Sequence, residues 1–270
     1  MSLHEDMGNV LANWQDAVPE NWRDALGCPN LQAEELINAK YEEGAHAPYP
    51  PLQDAERGRD LFRAFIGLAL ADVRVVVIGQ DPYTEPDRAT GRSFEDGVAE
   101  QLSETTRPAL RCLVQSAIDP CLVDGRENWR NLCAKIGAPP PTMSGFFDRL
   151  QEQGVLFINA SWTYTHKKHQ DAHKELWRPV TERLLEQIAA APGGTVFLLL
   201  GGDAQSFFNK SVPEPDDLPN AAPVCHPHPT AFLGPTYFNG VNPLSRVNQA
   251  LVNLGADEID WWPFPKVDAT

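Results

Sequence analysis

Residues 75–83, VVVIGQDPY, decide the fold. Val75, Val76, Val77 and Ile78 form an unbroken β-branched apolar run that stops at Gly79, the pattern of a strand buried on both faces and ending sharply. In an open α/β sheet, the loops that leave the carboxyl ends of the strands form the binding crevice. This loop sets an amide, a carboxylate, a rigid proline and a phenol side by side: Gln80, Asp81, Pro82 and Tyr83. A glycine at the strand end lets the backbone approach a neighbour, and Pro82 fixes the direction of the turn. Asp81 and Tyr83 are therefore presented rather than packed. The plainer alternative is an Asp-Pro turn that only closes a strand.

Working outward, three further apolar runs read as buried strands: Val155 to Ile158 ending at Asn159, Thr195 to Leu200 running into GGDAQ, and Ala222 to Cys225 ending in His226-Pro227-His228-Pro229. Helical patterns lie between them. Leu110, Leu113, Val114 and Ala117 form one stripe, with Thr106 as cap and Pro108 in the first turn; Phe146, Phe147 and Leu150 form a short second one ended by Gly154. A longer helix is expected from about Glu175 to Ala190, and a last one around Leu244, Val247, Leu251 and Leu254, before a packed IDWWPFP tail. Strands separated by helices predict an α/β fold: three α/β/α layers around a four-stranded, mainly parallel sheet. Parallel strands bring all four strand-end loops to one edge, so a carboxylate, an amide and an imidazole share one crevice.

Upstream, residues 1–45 read as a helical preface in which Trp14, Val18, Trp22 and Leu26 recur every four residues. His46, Tyr49 and three prolines then break the chain, and Asp54 is expected to cap a helix carrying Leu61, Phe62, Phe65, Ile66 and Ala69 on one face. Phe94 closes a Gly-Arg-Ser stretch, either as a core plug or as a stacking surface. The GG pair at Gly201 and Gly202 suits a phosphate at a helix N-terminus and, equally, a tight turn.

The chain has 270 residues, 42% of them apolar, enough for one substantial domain over 1–270. Its formal charge of −15, from 37 acidic and 22 basic side chains, argues against holding nucleic acid by bulk electrostatics, so a DNA enzyme of this composition has to concentrate its cations locally. The loop with His166, Lys167, Lys168, His169 and His173 is the candidate: without carboxylate or cysteine partners it reads as a cationic patch for phosphates and not as a metal site. Five cysteines (Cys28, Cys112, Cys121, Cys133, Cys225) without CxxC pairing suggest neither a disulfide framework nor zinc. No apolar run is long enough for a membrane span and MSLHEDMGNV lacks a signal pattern, so a cytoplasmic protein is expected.

The order of these motifs resembles that of the uracil-DNA glycosylase family. Tyr49-Pro50-Pro51 matches its YPP segment, GQDPY its water-activating loop, Phe94 its following phenylalanine, LFINA its strand-end asparagine, LLLGGDAQ its Gly-rich turn, HPHP its HPSP loop and IDWWP its closing tail, from about Tyr49 to Pro263. The resemblance implies excision of uracil from DNA by base flipping, with no cofactor or metal. Cleaving an N-glycosidic bond makes a sugar cation and a base anion, so Asp81 would face the sugar and orient water while His226, as a neutral imidazole, would donate to the uracil oxygen. Asn159 would pair with the imide edge, Phe94 would stack on the base, Tyr83 would fill the space of a thymine methyl group, and Gln80 would contact the base from its backbone.

DNA contacts are expected from Arg107, Pro108, Lys167, Lys168, Gly201, Gly202, His228, Thr230, Phe232 and Leu233. Three places depart from the family pattern. Thr84 stands where histidine is usual, Arg107-Pro108-Ala109 replaces Pro-Pro-Ser, and Thr230 follows HPHP where a leucine wedge is usual. Either the wedge has moved to Phe232 or Leu233, or single strands are preferred. A monomer is expected, with a protein inhibitor of the DNA-binding face as a conceivable partner. The second functional reading is a binding module that recognises uracil-containing DNA or a partner and cleaves poorly.

Overall fold

The structure, a computed structural model, describes residues 3–31, 36, 46–54, 58–102, 107–118, 141–212, 219–229 and 242–264. Its centre is a four-stranded sheet of β1 (Val75–Gly79), β2 (Val155–Asn159), β3 (Thr195–Leu200) and β4 (Ala221–His226), ordered β2-β1-β3-β4 with every pairing parallel. β1 is central, and its alternate side chains point to opposite faces, as the period of a strand requires. Val76 and Ile78 join one core with Leu156, Ile158, Phe197 and Leu199; Val75 and Val77 join the other with Val155, Phe157, Val196 and Leu198.

Helices cover both faces, giving the expected three layers. The first face carries α1 (Leu3–Ala17), the short α2 (Arg23–Leu26), α5 (Gln170–Ala189) and α6 (Gly202–Ser211). The second carries α3 (Pro108–Ile118), α4 (Met143–Gln151) and α7 (Pro243–Asn253), with Ile259, Trp261 and Trp262 of the tail packed among them. Burying a side chain of the Val, Leu or Phe class contributes about 1.5–3 kcal/mol, and every residue of β1, β2 and β3 is buried. Among the described residues no helix is long and apolar enough to cross a membrane.

The four-residue stripe near the N-terminus is buried throughout but not one helix. Pro19 interrupts it, so Trp14 packs from α1 edge-on to Trp177 at 5.5 Å, whereas Trp22 lies in a 3₁₀ turn, Glu20–Trp22.

A larger difference concerns residues 54–69, where the described residues do not form the expected helix. Gly58 and Gly67 adopt φ of +62° and +82°, only the 3₁₀ turn Arg63–Phe65 appears between them, and Ile66 is 51% exposed. Two of the segment's carbonyls are satisfied from outside: Trp22 Nε1 donates to Phe65 O (3.1 Å) and Leu68 O (2.7 Å), and Asn21 Nδ2 also donates to Leu68 O. Leu61, Phe62 and Phe65 still reach the core, by turns instead of one helical face. The helix expected from Glu175 begins earlier, at Gln170, because the 3₁₀ turn Lys167–His169 feeds directly into it. The cap expected at Thr106 lies outside the described residues.

Candidate active site

The carboxyl ends of β1, β2 and β3 open into a cleft of about 880 Å³. Gln80, Asp81, Pro82, Tyr83, Phe94, Asn159, Arg107, Pro108, Gly201, Gly202 and His228 all line it, so residues expected from separate loops do converge.

The GQDPY loop is held on two sides. Ala160 N donates to Gly79 O (2.9 Å) and Ser161 N to Gln80 O (3.0 Å), which extends the β1–β2 pairing past both strands. The Tyr49-Pro50-Pro51 segment braces the loop's far end: Tyr49 Oη donates to Thr84 O (2.7 Å), and Tyr49 and Tyr164 exchange two backbone hydrogen bonds.

Asp81 Oδ2 accepts a hydrogen bond from Gln170 Nε2, a residue that opens α5 and that sequence reasoning missed. Burial pushes the Asp81 carboxyl above its ordinary value, while the Gln170 amide and the Lys174 ammonium favour the anion. The signal in the sequence was faint: a glutamine at the end of a basic loop, with nothing local to point toward residue 81.

Tyr83 Oη donates to Phe94 O at 3.0 Å, and burial raises the phenol's pKa further above its already high value. Phe94 sits at φ +66°, a left-handed conformation uncommon for a bulky aromatic residue, and packs partly against the second core. It is thus both half-packed and cleft-lining. Asn159 is 8% exposed, and among the described residues no hydrogen bond engages its carboxamide.

The Gly-rich turn and the HPHP segment are bound to each other. Gly201 N donates to His226 O (2.8 Å), and Gly201 has φ +97° with its α-carbon so near His228 that an added Cβ would stand 2.8 Å from His228 Cβ. Gln205 Nε2 also donates to His226 O, and Cys112 Sγ to Pro229 O at 3.4 Å. His226 ends β4, is buried, and does not line the cleft; His228 does. His226 Nδ1 stands 3.2 Å from Pro227 O, a contact whose roles follow from the tautomer of the ring.

Of the cationic loop, Lys167 and Lys168 are exposed beside the cleft without lining it. His173 is not part of that surface. It is fully buried on α5 between Thr163 Oγ1 (2.9 Å) and Thr165 Oγ1 (2.8 Å), and burial, then His169, lowers its pKa to about 3. Among the described residues no group of three His, Cys, Asp or Glu could hold a metal ion. Thr230, Phe232 and Leu233 lie outside the described residues.

Comparison with known proteins agrees with this arrangement. The model of the Uracil DNA glycosylase superfamily matches residues 67–251. The chain is 29% identical to the uracil-DNA glycosylase of Vibrio campbellii, over 94% of this chain and 97% of that one. It is 30% identical to the enzyme of the same name from Mycobacteroides abscessus, over 91% and 96%. Among solved structures, the UNG of Nitratifractor salsuginis has a TM-score of 0.63 at 22% identity, covering 93% of this chain and 96% of that one. Mimivirus uracil-DNA glycosylase also reaches 0.63, at 19% identity, covering 97% and 93%. With the family's motifs gathered at the ends of one parallel sheet and its model spanning all four strands, the chain belongs to the uracil DNA glycosylase superfamily.

Proposed function

We propose that this protein removes uracil from DNA by hydrolysing the N-glycosidic bond of a flipped nucleotide, leaving an abasic site. The observation that carries this reading is Asn159: a buried carboxamide without an internal partner, lining the same cleft as the carboxylate of Asp81. A carboxamide that opens into the cleft without an internal partner can pair with a ligand that offers a neighbouring donor and acceptor. Uracil's imide edge has that pair.

In the reaction, Asp81 stabilises the developing sugar cation and takes the proton of the attacking water, which bonds to C1′ as the bond to the base breaks. Phe94 stacks on the base, Tyr83 closes the space beside its C5, and Gln80 contacts it from the loop. His226 donates to the departing base as a neutral imidazole, where the negative charge develops. Arg107, Pro108, Lys167, Lys168, Gly201, Gly202, His228 and Thr230 form the DNA-facing surface, and Phe232 or Leu233 supplies the wedge for duplexes. The steps use only the chain's own residues. We further infer a monomer acting in a reducing, cytoplasmic setting, which the unpaired Cys28, Cys112 and Cys225 support. Mimivirus UNG variants solved in complex with UGI support a protein inhibitor as partner.

The test is strand scission at abasic sites after incubation with uracil-containing oligonucleotides. The parent should release uracil, and Asp81→Asn should lose roughly 10²–10³ in kcat with little change in substrate binding. A parent that binds these oligonucleotides but releases no uracil across a range of salt concentrations leaves the binding-module reading in its place.

A further inference from the structure

Two of the three departures from the family pattern, Thr84 and Arg107, meet at one carboxylate. Thr84 Oγ1 donates to Glu85 Oε2 over 3.0 Å, and Arg107 Nη2 donates to Glu85 Oε1, with Arg88 Nε 3.7 Å from that same oxygen. Slight burial works against the anion, but the Thr84 hydroxyl and the two guanidinium groups hold the Glu85 carboxyl below its usual range. Thr84, Glu85 and Arg107 all line the cleft, and Arg107 immediately precedes α3, where the family pattern has its phosphate-gripping Pro-Pro-Ser.

Arg107 is held but not saturated. A guanidinium has five donors in a fixed fork, and Arg107 Nε is buried with no hydrogen-bond partner among the described residues. A phosphate takes two parallel donors from one edge of such a fork, and the Nη2 hydrogen given to Glu85 engages one of the two edges that could supply them. The pair is also cheap to break. Both side chains are substantially exposed, at 36% and 50%, and exposed pairs are weak. A carboxylate fixed by its own hydroxyl donor thus sits where an anionic ligand oxygen would be received.

We propose that Glu85 is an internal stand-in for the DNA phosphate. It occupies Arg107 in the free protein and a phosphodiester displaces it on binding, so Glu85 sets how strongly this grip holds DNA. The inference rests on the reading of Arg107 as a phosphate contact. In a chain of net charge −15, such a device orders a cation of this grip without making the surface adhesive.

A double-mutant cycle tests it, with affinities read by fluorescence anisotropy on a single-stranded oligonucleotide containing a tetrahydrofuran abasic analogue. At about 50 mM salt, Glu85→Gln should bind roughly two- to fivefold tighter, the equivalent of an exposed pair, with the gain shrinking as salt rises. Arg107→Ala should bind more weakly and flatten the slope of log Kd against log salt by about 0.7. The gain from Glu85→Gln should be smaller when Arg107 is alanine. An equal or larger gain in that background makes Glu85 an ordinary repelling charge and overturns the proposal. So does weaker binding by Glu85→Gln, which would mean that the carboxylate positions Arg107 for DNA. If Arg107→Ala changes neither affinity nor slope, the phosphate-contact reading fails together with the proposal. Uracil release by the parent reports separately on the glycosylase reading.

Discussion

Gly79 and Asn159 stand opposite each other in the register of β1 and β2, and the carboxamide of one occupies the space that a side chain on the other would need. A Cβ on residue 79 would overlap Asn159 Oδ1 and lie 2.9 Å from Ser93 Cβ. The glycine that ends the central strand therefore does more than stop it. It makes room for the amide proposed to read the base.

Gly79→Ala follows from that relationship. The added methyl should cost about 1–3 kcal/mol by overpacking and push Asn159 out of line. Urea unfolding reads the first effect, and kcat/KM for uracil release by the folded fraction reads the second, which should fall at least tenfold. A variant with parental values for both would show that Asn159 has room to move.

Base choice should shift with Asn159 and Tyr83. Asn159→Asp removes a donor facing uracil and should lower kcat/KM by about 10–100-fold, the worth of a good bidentate pair, while admitting cytosine, whose amino group can donate to a carboxylate. Tyr83→Ala should open room for thymine. Release of each base from matched oligonucleotides, quantified by chromatography, decides both.

The pH dependence of turnover should report Asp81 and its partner Gln170. A base works ionised, so activity is lost as pH falls through the carboxyl's raised pKa. The groups facing it are the Gln170 amide and Lys174 ammonium of α5 and the Tyr164 and Tyr49 phenols. Gln170→Ala removes the donor to the anion, so the acid limb of kcat should move to higher pH, while activity well above the limb is less affected. An unmoved limb with equally reduced kcat at every pH would assign Gln170 to structure alone. Because burial raises the folded pKa, ionised Asp81 lowers stability at neutral pH, and Asp81→Asn should melt higher than the parent.

His173 predicts the opposite slope for the whole molecule. Its folded pKa of about 3 lies below the ordinary 6.5, so the unfolded chain binds the extra proton first. Its stabilising contribution is complete above pH 6.5 and is lost as pH falls toward about 3, at about 1.4 kcal/mol per pH unit. Denaturant unfolding of parent and His173→Gln between pH 4 and 7 should show a shallower pH dependence in the variant. Equal slopes would mean that the ring is already accessible to protons in the folded state.

The sheet was legible because its strands are written as uninterrupted apolar runs that end at polar residues or glycine, and a parallel order then dictates where Asp81, Asn159 and Gly201 meet. Residues 54–69 were not legible for a matching reason. Their apolar spacing suits a helix, but the carbonyls of Phe65 and Leu68 are claimed by Trp22 and Asn21, more than 40 positions upstream, and no local pattern carries that. Gln170 and Glu85 were missed on the same ground, since each acquires its role from a partner distant in the chain. His173 was misread because three histidines near two lysines look like one surface, whereas the helix turns the third inward onto Thr163 and Thr165.

The order β2-β1-β3-β4 also sets a timetable for synthesis. β1 leaves the ribosome first and is the most apolar segment of the site, yet its two neighbours begin only at Val155 and Thr195. Until β2 has been made, a nascent chain carries the future centre of its sheet with two open edges, and until β3 with one, the condition in which strands pair with the wrong partner. A chain cut short before β3 would be a hazard, and not a smaller enzyme.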